Sequence, residues 1–384
     1  MASSAPTPTE AKISPRDLAH MRAALGLAAR GLGRTWPNPS VGCVLVREEG
    51  GSDRVVGRGW TQPGGRPHAE TEALTRTGEA ARGATAYVTL EPCAHTGKTP
   101  PCADALIAAG IGRAVVAVED PDPRVSGRGI ARLREAGIRV DLGACAAEAN
   151  ELNVGFFLRV REGRPLVSLK LATSLDGRIA TQGGESKWIT GEAARRRAHL
   201  LRAQHDAVIV GTGTALADDP ELTCRLPGLE DRSPERVVLD RQMRIPMTNK
   251  LLSETKLATT WFVTHHGNAD AALSRAHQGD DIIGICVLLD ESGRLSLPQT
   301  LGALAGNGIT RLLVEGGSTL AGAFLGAGLV DRVYWFRAAS VIGGDGLPAA
   351  APFGVAHLAD AARFERVDVV PLGEDVLETY RRVP

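Results

Sequence analysis

His68-Ala69-Glu70, Pro92-Cys93 and Cys102 offer one imidazole, two thiolates and, one helical step from the histidine, a carboxylate. This donor set suits tetrahedral zinc with its fourth position open to water. A closed structural site would recruit a fourth protein ligand, and His95 is the one residue in the segment that could complete the set. Zinc lowers the pKa of water from about 15.7 to about 7, and an unligated carboxylate beside it can shuttle protons. Glu70 fits that role: it takes a proton during attack on an amino-bearing ring carbon and returns it toward the departing nitrogen, so that ammonia leaves. In isolation Glu70 would read as a solvated helix residue; its neighbours change that reading. Zinc nucleobase deaminases carry His-x-Glu followed by Pro-Cys-x-x-Cys, whereas here eight residues separate the two cysteines.

The second half has two glycine features of interest. Val208 to Gly211 reads as a buried strand leading into Thr212-Gly213-Thr214, and Leu312 to Val314 leads into Glu315-Gly316-Gly317-Ser318-Thr319 before a small-residue helix, Leu320 to Ala327. A strand that ends in glycines and opens a helix exposes backbone N–H groups to a phosphate. Glycine also permits close packing for purely structural reasons, and both readings stay open. No Gly-x-Gly-x-x-Gly follows a strand in the setting of a Rossmann dinucleotide site.

The elements that must position these groups follow from periodicity and punctuation. Ser14, Pro15 and Asp17 give an N-cap, a first-turn proline and an early acid, and Leu18, Met21, Leu25, Ala28 and Ala29 continue at helical spacing to Gly31. Strands are expected at 41–46, 55–57, 86–90 and 114–118, with the turn-rich stretch Glu48 to Asp53 between the first two and helices at about 68–78, 102–110 and 129–136. The alternation predicts an α/β layer structure with a largely buried sheet. A helical stretch from Ala146 to Arg159 ends at Glu162-Gly163-Arg164-Pro165, which restarts the chain. The expected organisation is therefore a disordered tail over 1–13, a first domain over 14–160 and a second over 161–384. The second alternates again, with strands at 166–171, 207–211, 236–240, 260–264, 282–289 and 311–314 and a helix at 191–203.

Composition narrows the function classes. The 384 residues exceed one ordinary core. A hydrophobic share of 43% with 23% charged residues is that of a folded globular protein, and runs such as Ile282 to Leu289 are too short to cross a bilayer. Basic and acidic residues number 44 each, which leaves no net field for a polyanion and favours a small substrate over nucleic acid. Met1 to Lys12 lack the basic start and apolar stretch of a secretion signal. The six scattered cysteines read as reduced thiols of a cytoplasmic protein.

Ala94-His95-Thr96-Gly97-Lys98-Thr99-Pro100-Pro101, together with Asn38-Pro39-Ser40-Val41-Gly42 and Thr89-Leu90-Glu91-Pro92, closely resembles the bifunctional riboflavin-biosynthesis deaminase/reductase family. The resemblance implies that His68, Cys93 and Cys102 are zinc ligands, that Glu70 is the proton shuttle, and that Asn38, His95 and Lys98 meet the substrate ring and phosphate. It extends to Leu169-Lys170-Leu171, Ser174-Leu175-Asp176-Gly177, Ser186-Lys187-Trp188-Ile189-Thr190, Asp218-Asp219-Pro220 and Glu315-Gly316-Gly317. These imply a dihydrofolate-reductase-like second domain after a cytidine-deaminase-like three-layer first domain. NADPH contacts are implied at Ala172, Trp188, Thr214, Asp218, Gly317, Ser318, Thr319, Leu320, Ala321, Gly322 and Ala323. Substrate contacts are implied at Lys170, Ser186, Arg202, Leu222, Arg225 and Glu315. Arg202 and Arg225 would hold phosphate through planar guanidinium groups; from sequence alone Arg202, which follows Arg195 to Arg197, reads more simply as a helix-face charge. Lys170 and Glu315 are expected to position the ribose and assist proton transfer as hydride reaches C1′. Thr61, Arg241 and Ala338-Ala339-Ser340 depart from the family pattern, which more usually has His, Ser and Ala-Pro-Lys there.

The resemblance thus implies two activities. The first domain deaminates 2,5-diamino-6-ribosylamino-4(3H)-pyrimidinone 5′-phosphate, and the second uses NADPH to reduce the ribosyl side chain of the product to ribityl. The partner is a small phosphorylated pyrimidine, with neither nucleic acid nor membrane, and a homo-oligomer is expected. Two other classes compete with this reading: an RNA- or nucleotide-editing deaminase with a C-terminal binding module, and a structural zinc module on a scaffold. The first calls for a basic face and stacking aromatics, against which stand neutral charge and 4% aromatics. The second predicts that Glu70→Gln leaves function intact.

Overall fold

Ser14 starts helix α1 (Pro15–Ala28) through a reciprocal cap, its hydroxyl accepting from the Asp17 N–H while the Asp17 carboxylate accepts from the Ser14 N–H. The computed structural model describes residues 13–96, 100–276 and 281–383, so the expected tail lies outside the described residues apart from Ile13. The chain divides into two compact units, Met1–Phe157 and Leu158–Pro384. The division falls just before the junction expected after residue 160.

The first unit is built on strands β1 (Gly42–Glu49), β2 (Ser52–Trp60), β3 (Thr85–Val88), β4 (Arg113–Val116) and β5 (Arg139–Leu142), in the order β2-β1-β3-β4-β5. β1 is antiparallel to β2 and β3, and β3, β4 and β5 run parallel. The first two strands extend beyond their expected ends into a hairpin that turns at Gly50-Gly51, both at positive φ, where exposed polar residues gave no apolar alternation to read. Helices α2 (Ala69–Thr77), α3 (Cys102–Ala108) and α4 (Arg128–Glu135) match the three expected, and α5 (Ala146–Glu162) runs one turn further than Arg159. Met21, Ala24 and Ala28 of α1, Leu106 of α3 and Leu133 of α4 are fully buried with Val44, Leu45 and Val115 of the sheet.

The second unit carries β6 (Leu166–Thr173), β7 (Arg178–Ala180), β8 (Ala207–Gly211), β9 (Glu235–Leu239), β10 (Thr260–His265), β11 (Ile282–Val287), β12 (Arg311–Val314), β13 (Arg332–Arg337), β14 (Leu347–Pro348), β15 (Phe364–Leu372) and β16 (Asp375–Arg382). Its large sheet has the order β11-β10-β9-β8-β12-β6-β13-β16-β15. From β11 to β13 the strands are parallel, and β16 and β15 are antiparallel. Between them lie α6 (Glu192–Ala203), α7 (Thr212–Asp218), α8 (Lys250–Ser253), α9 (Ala269–Ala276), α10 (Leu297–Gly306) and α11 (Ser318–Gly326). Parallel strands covered on both faces need unbroken apolar runs, and Val208 to Val210, Val237-Val238 and Leu312 to Val314 are fully buried. α11 begins two residues before the expected Leu320, directly after Gly317 as N-cap. The strands after residue 330 were not expected; β15 is exposed along most of its length and lacks the alternation of a half-buried strand.

Candidate functional site

In the first unit three loops deliver the metal-ligating groups to one point. His68 is the N-cap of α2, Cys93 lies after β3, and Cys102 opens α3. Gly59 of β2 lets α2 come this close, since a Cβ there would stand 2.1 Å from the Ala69 carbonyl. His68 Nδ1 lies 3.3 Å from Cys102 Sγ and 3.7 Å from Cys93 Sγ, and the Cys102 N–H donates to Cys93 Sγ at 3.2 Å. Zinc bonds of about 2.0 to 2.3 Å at tetrahedral angles give ligand separations of about 3.5 to 3.8 Å, so the donors fit that ion. Among the described residues the cluster has these three members and no fourth, and His95 is not one of them. The arrangement is the open one.

Glu70 lies in the first turn of α2 and is 3% exposed. Burial, reinforced by the Cys93 charge, raises its carboxyl to about 7 against the pull of the His68 charge. A dication on the three ligands would act in the opposite sense. Hydrogen bonding from Cys102 draws the Cys93 thiol down to about 4, and the same contact together with burial pushes Cys102 up. One proton shared between two thiols beside an imidazole is a site poised to exchange protons for a cation.

Asn38 packs over Gly65, its Nδ2 donating to the Gly65 carbonyl at 3.4 Å, which ties it to the segment that leads into His68. Gly65 is at φ +81, and a Cβ would stand 1.9 Å from Asn38 Nδ2. His95 Nδ1 is buried and without a hydrogen-bond partner among the described residues. Lys98 lies outside the described residues. Thr61 is buried, its hydroxyl accepting from the Val41 N–H at 2.9 Å, so it fastens β1 to the end of β2. Sequence reasoning missed the use of Glu91: its two oxygens accept from the backbone N–H groups of Asp120, Gly127, Gly129 and Ile130. An acid three residues past a mostly buried strand was the available signal.

In the second unit Lys170 of β6, Glu315 after β12 and Arg202 of α6 form one cluster. Arg202 Nε and Nη2 meet the Glu315 carboxylate at 2.6 and 3.0 Å, Arg202 Nη1 donates to the Thr223 carbonyl, and Lys170 Nζ is 3.8 Å from Glu315 Oε2. Burial works against the Glu315 charge, yet Arg202 and Lys170 hold the carboxyl down at about 2; burial pushes the Lys170 ammonium pKa down. Arg202, read from sequence as a helix-face charge or phosphate partner, is a part-buried bidentate partner of Glu315. Arg225 is exposed and pairs with Glu221 at 3.2 Å, while its backbone N–H meets His199 of α6. His199 went unnoticed, although it stands three residues before Arg202 on the same helix face. Leu222, between them, is buried at φ +57.

The turns after β8 and β12 are neighbours because those strands pair, and Thr214 Oγ1 accepts the Gly317 N–H at 3.1 Å. Ser318 Oγ is buried and without a hydrogen-bond partner among the described residues, and Thr319 is exposed. Leu320, Ala321 and Gly322 are buried: the Leu320 and Ala321 N–H groups bond the Gly317 carbonyl, and a Cβ on Gly322 would stand 2.5 Å from the Ala351 carbonyl. The next residue, Ala323, is part-buried, as is Ala172 on β6. Asp218 is exposed at the far end of α7 from Thr214. Trp188 is 70% exposed with the Arg195 guanidinium 4.8 Å from its ring, and Ser186 accepts from the Ile189 N–H. Asp375 Oδ2 accepts the Gly191 N–H at 2.7 Å and fixes the end of that segment. Asp176 is a turn residue, holding Ser174, Ile342 and Gly343.

Comparison with known families agrees with both halves. A family model described as the cytidine and deoxycytidylate deaminase zinc-binding region matches residues 14–118, and one described as the RibD C-terminal domain matches residues 165–377. Riboflavin biosynthesis protein RibD of Escherichia coli (strain K12) is 42% identical over 372 residues, 94% of this chain and 98% of that protein. The protein of the same name from Aquifex aeolicus (strain VF5) is 41% identical over 366 residues, 95% of this chain and 98% of its own. Among solved structures, Acinetobacter baumannii RibD in form 1 superposes with a TM-score of 0.85 at 39% identity, covering 96% of this chain and 99% of that one. The diaminohydroxyphosphoribosylaminopyrimidine deaminase/5-amino-6-(5-phosphoribosylamino)uracil reductase of Thermotoga maritima gives 0.82 at 35% identity with the same coverage.

Proposed function

The chain belongs to the RibD family, the bifunctional deaminase/reductases of riboflavin biosynthesis, and from that premise we propose which of its residues carry each step and which cofactors they serve. The second half being a reductase domain, the alternative of a nucleic-acid-binding module falls away. The observation that carries the deaminase assignment is the open cluster of His68, Cys93 and Cys102 beside buried Glu70.

His68 Nδ1 and the two thiolates would hold zinc. When bound, zinc supplies the Lewis acidity that makes water a nucleophile at neutral pH. The Glu70 carboxylate takes the proton that the attacking water gives up and passes it to the leaving amino nitrogen, so ammonia departs and the ring keeps the oxygen. The unpartnered His95 Nδ1 and the Asn38 amide supply hydrogen-bonding groups for the pyrimidine and its phosphate. Lys98 is proposed as a further phosphate partner on the sequence resemblance alone.

For the reductase half, the paired turns at Thr214 and Gly317-Ser318-Thr319 support a dinucleotide phosphate. NADPH is the cofactor, and when bound it supplies hydride to C1′ of the ribosyl group. Lys170 and Glu315 orient the ribose and move its proton, Arg202 holds Glu315 in place, and Arg225 at the surface is the phosphate partner. Trp188, Ala172 and Asp218 are kept as cofactor contacts, and Ser186 and Leu222 as substrate contacts.

The test supplies the diaminopyrimidine phosphate with and without NADPH and records ammonia release and NADPH oxidation together. Ammonia is expected in both, with oxidation following it when NADPH is present. Ammonia without any oxidation would refute the reductase assignment and spare the deaminase.

A further inference from the structure

Eight residues separate Cys93 from Cys102, where two would let the covalent chain itself set the distance between the thiolates. A longer spacer has more conformations to give up before both sulfurs wait at tetrahedral separation. Two bonds from backbone N–H groups join the cysteines to each other: the Cys102 N–H donates to Cys93 Sγ, and the Ala103 N–H donates to the Cys93 carbonyl at 3.2 Å. The body against which both are then held is α4, whose Ile130 and Leu133 are buried in the core of the first unit.

On the Cys93 side the hold is Glu91. Its own N–H donates to the Val118 carbonyl at 3.0 Å. Its buried carboxylate accepts the N–H groups of Gly127, Gly129 and Ile130 at 3.0, 2.8 and 3.1 Å, donors that the start of α4 leaves without an intrahelical partner. The fit is close, since a Cβ on Gly129 would stand 1.9 Å from the Pro92 carbonyl oxygen, one residue before the ligand Cys93. In the second turn of α4, Arg132 Nη1 donates to the Ala94 carbonyl at 3.2 Å and to the Asp104 carboxylate at 3.1 Å. Ala94 follows Cys93 and Asp104 stands two residues after Cys102, so one guanidinium holds the chain just beyond each ligand.

Partners that orient a ligand tune metal affinity without binding the metal. We propose that Glu91 and Arg132 are positioning residues of the metal centre: through α4 they set the separation of Cys93 and Cys102 that a two-residue spacer would set by itself, and so keep the thiolates ready for zinc. Neither supplies a donor atom to the cluster. The inference rests on the zinc reading of the first unit and adds what fixes its geometry.

Zinc dissociation constants of the full-length protein, measured by competition with a chromophoric chelator, test it together with the visible ligand-field spectrum of the cobalt-substituted protein. Glu91→Gln places an amide where backbone N–H groups need an acceptor and should weaken zinc by about 10- to 100-fold. Arg132→Met removes a side chain that is 43% exposed, so the fold should tolerate it. It should weaken zinc by about 3- to 10-fold, the scale of one partly exposed charge-assisted contact. In both variants the cobalt bands should shift or lose intensity as the thiolates leave tetrahedral spacing. Arg132→Lys keeps a charged donor for the Ala94 carbonyl and should recover part of the loss. Zinc affinity within about twofold of the wild type and an unchanged cobalt spectrum in Arg132→Met, whatever its melting temperature, would make α4 a support of the fold alone and overturn the assignment. The same result in a folded Glu91→Gln would overturn it as well, and if Glu91→Gln does not fold, Arg132→Met decides. A wild type that binds neither zinc nor cobalt would instead strike the zinc reading itself.

Discussion

Two thiolates and a buried carboxylate within one small volume would repel one another unless protons or a cation sit among them. Glu70 differs from His68, Cys93 and Cys102 because it is not part of the ligand cluster. Glu70→Gln should therefore keep its zinc, read by elemental analysis, while deamination falls by at least about 100-fold; normal ammonia release would remove the proton-shuttle role. Lys170 is the corresponding residue of the second unit. Lys170→Met should slow single-turnover hydride transfer at saturating substrate by about 10- to 100-fold, and an unchanged rate would end its assignment. His68, Cys93, Cys102 and Glu70 were legible in the sequence because their residue types are uncommon and lie close together in the chain. Arg202 was not: its partner Glu315 is 113 residues away, and only strand pairing brings them together. Trp188 and Asp218 rest on family pattern, since neither has a local chemical signature.

Helices and strands here are fastened by buried polar groups that no periodicity announces. His205 follows α6, lies within hydrogen-bonding distance of the Leu201 carbonyl through Nδ1, and meets the Ser168 hydroxyl of β6 through Nε2 at 2.8 Å. Nδ1 must donate to that carbonyl, so Nε2 accepts and the ring is neutral; burial lowers its pKa to about 3. The unfolded chain binds this proton below about 6.5 and the folded one does not until about 3, so stability falls as pH drops through that window. The slope from this residue approaches about 1.4 kcal/mol per pH unit. Urea unfolding between pH 7 and pH 4.5 should show it in the wild type and lose it in His205→Gln; the same slope in both would discard the account. Elements with strong patterns, such as α1 with its cap and the buried parallel strands, were legible. β15 was not, because its exposed edge position imposes no alternation.

At the scale of the molecule, two α/β units were expected from length and alternation, and two compact units are found. No helix among the described residues is long and apolar enough to cross a membrane. The two sheets differ in how far they reach along the chain. Every strand of the first sheet lies between Gly42 and Leu142, whereas β6, the opening strand of the second, pairs only with β12 and β13, which begin at Arg311 and Arg332. On a ribosome adding about 5 to 20 residues per second, β6 therefore waits roughly 7 to 33 s for its partners. A nascent chain stalled before β12 should be cut by protease at β6 and resist over the first unit; equal resistance at both would deny this sequence of events. During that interval Leu166, Val167, Leu169 and Leu171, buried in the finished fold, have neither neighbouring strand in place, which makes this a segment on which a holding chaperone would act.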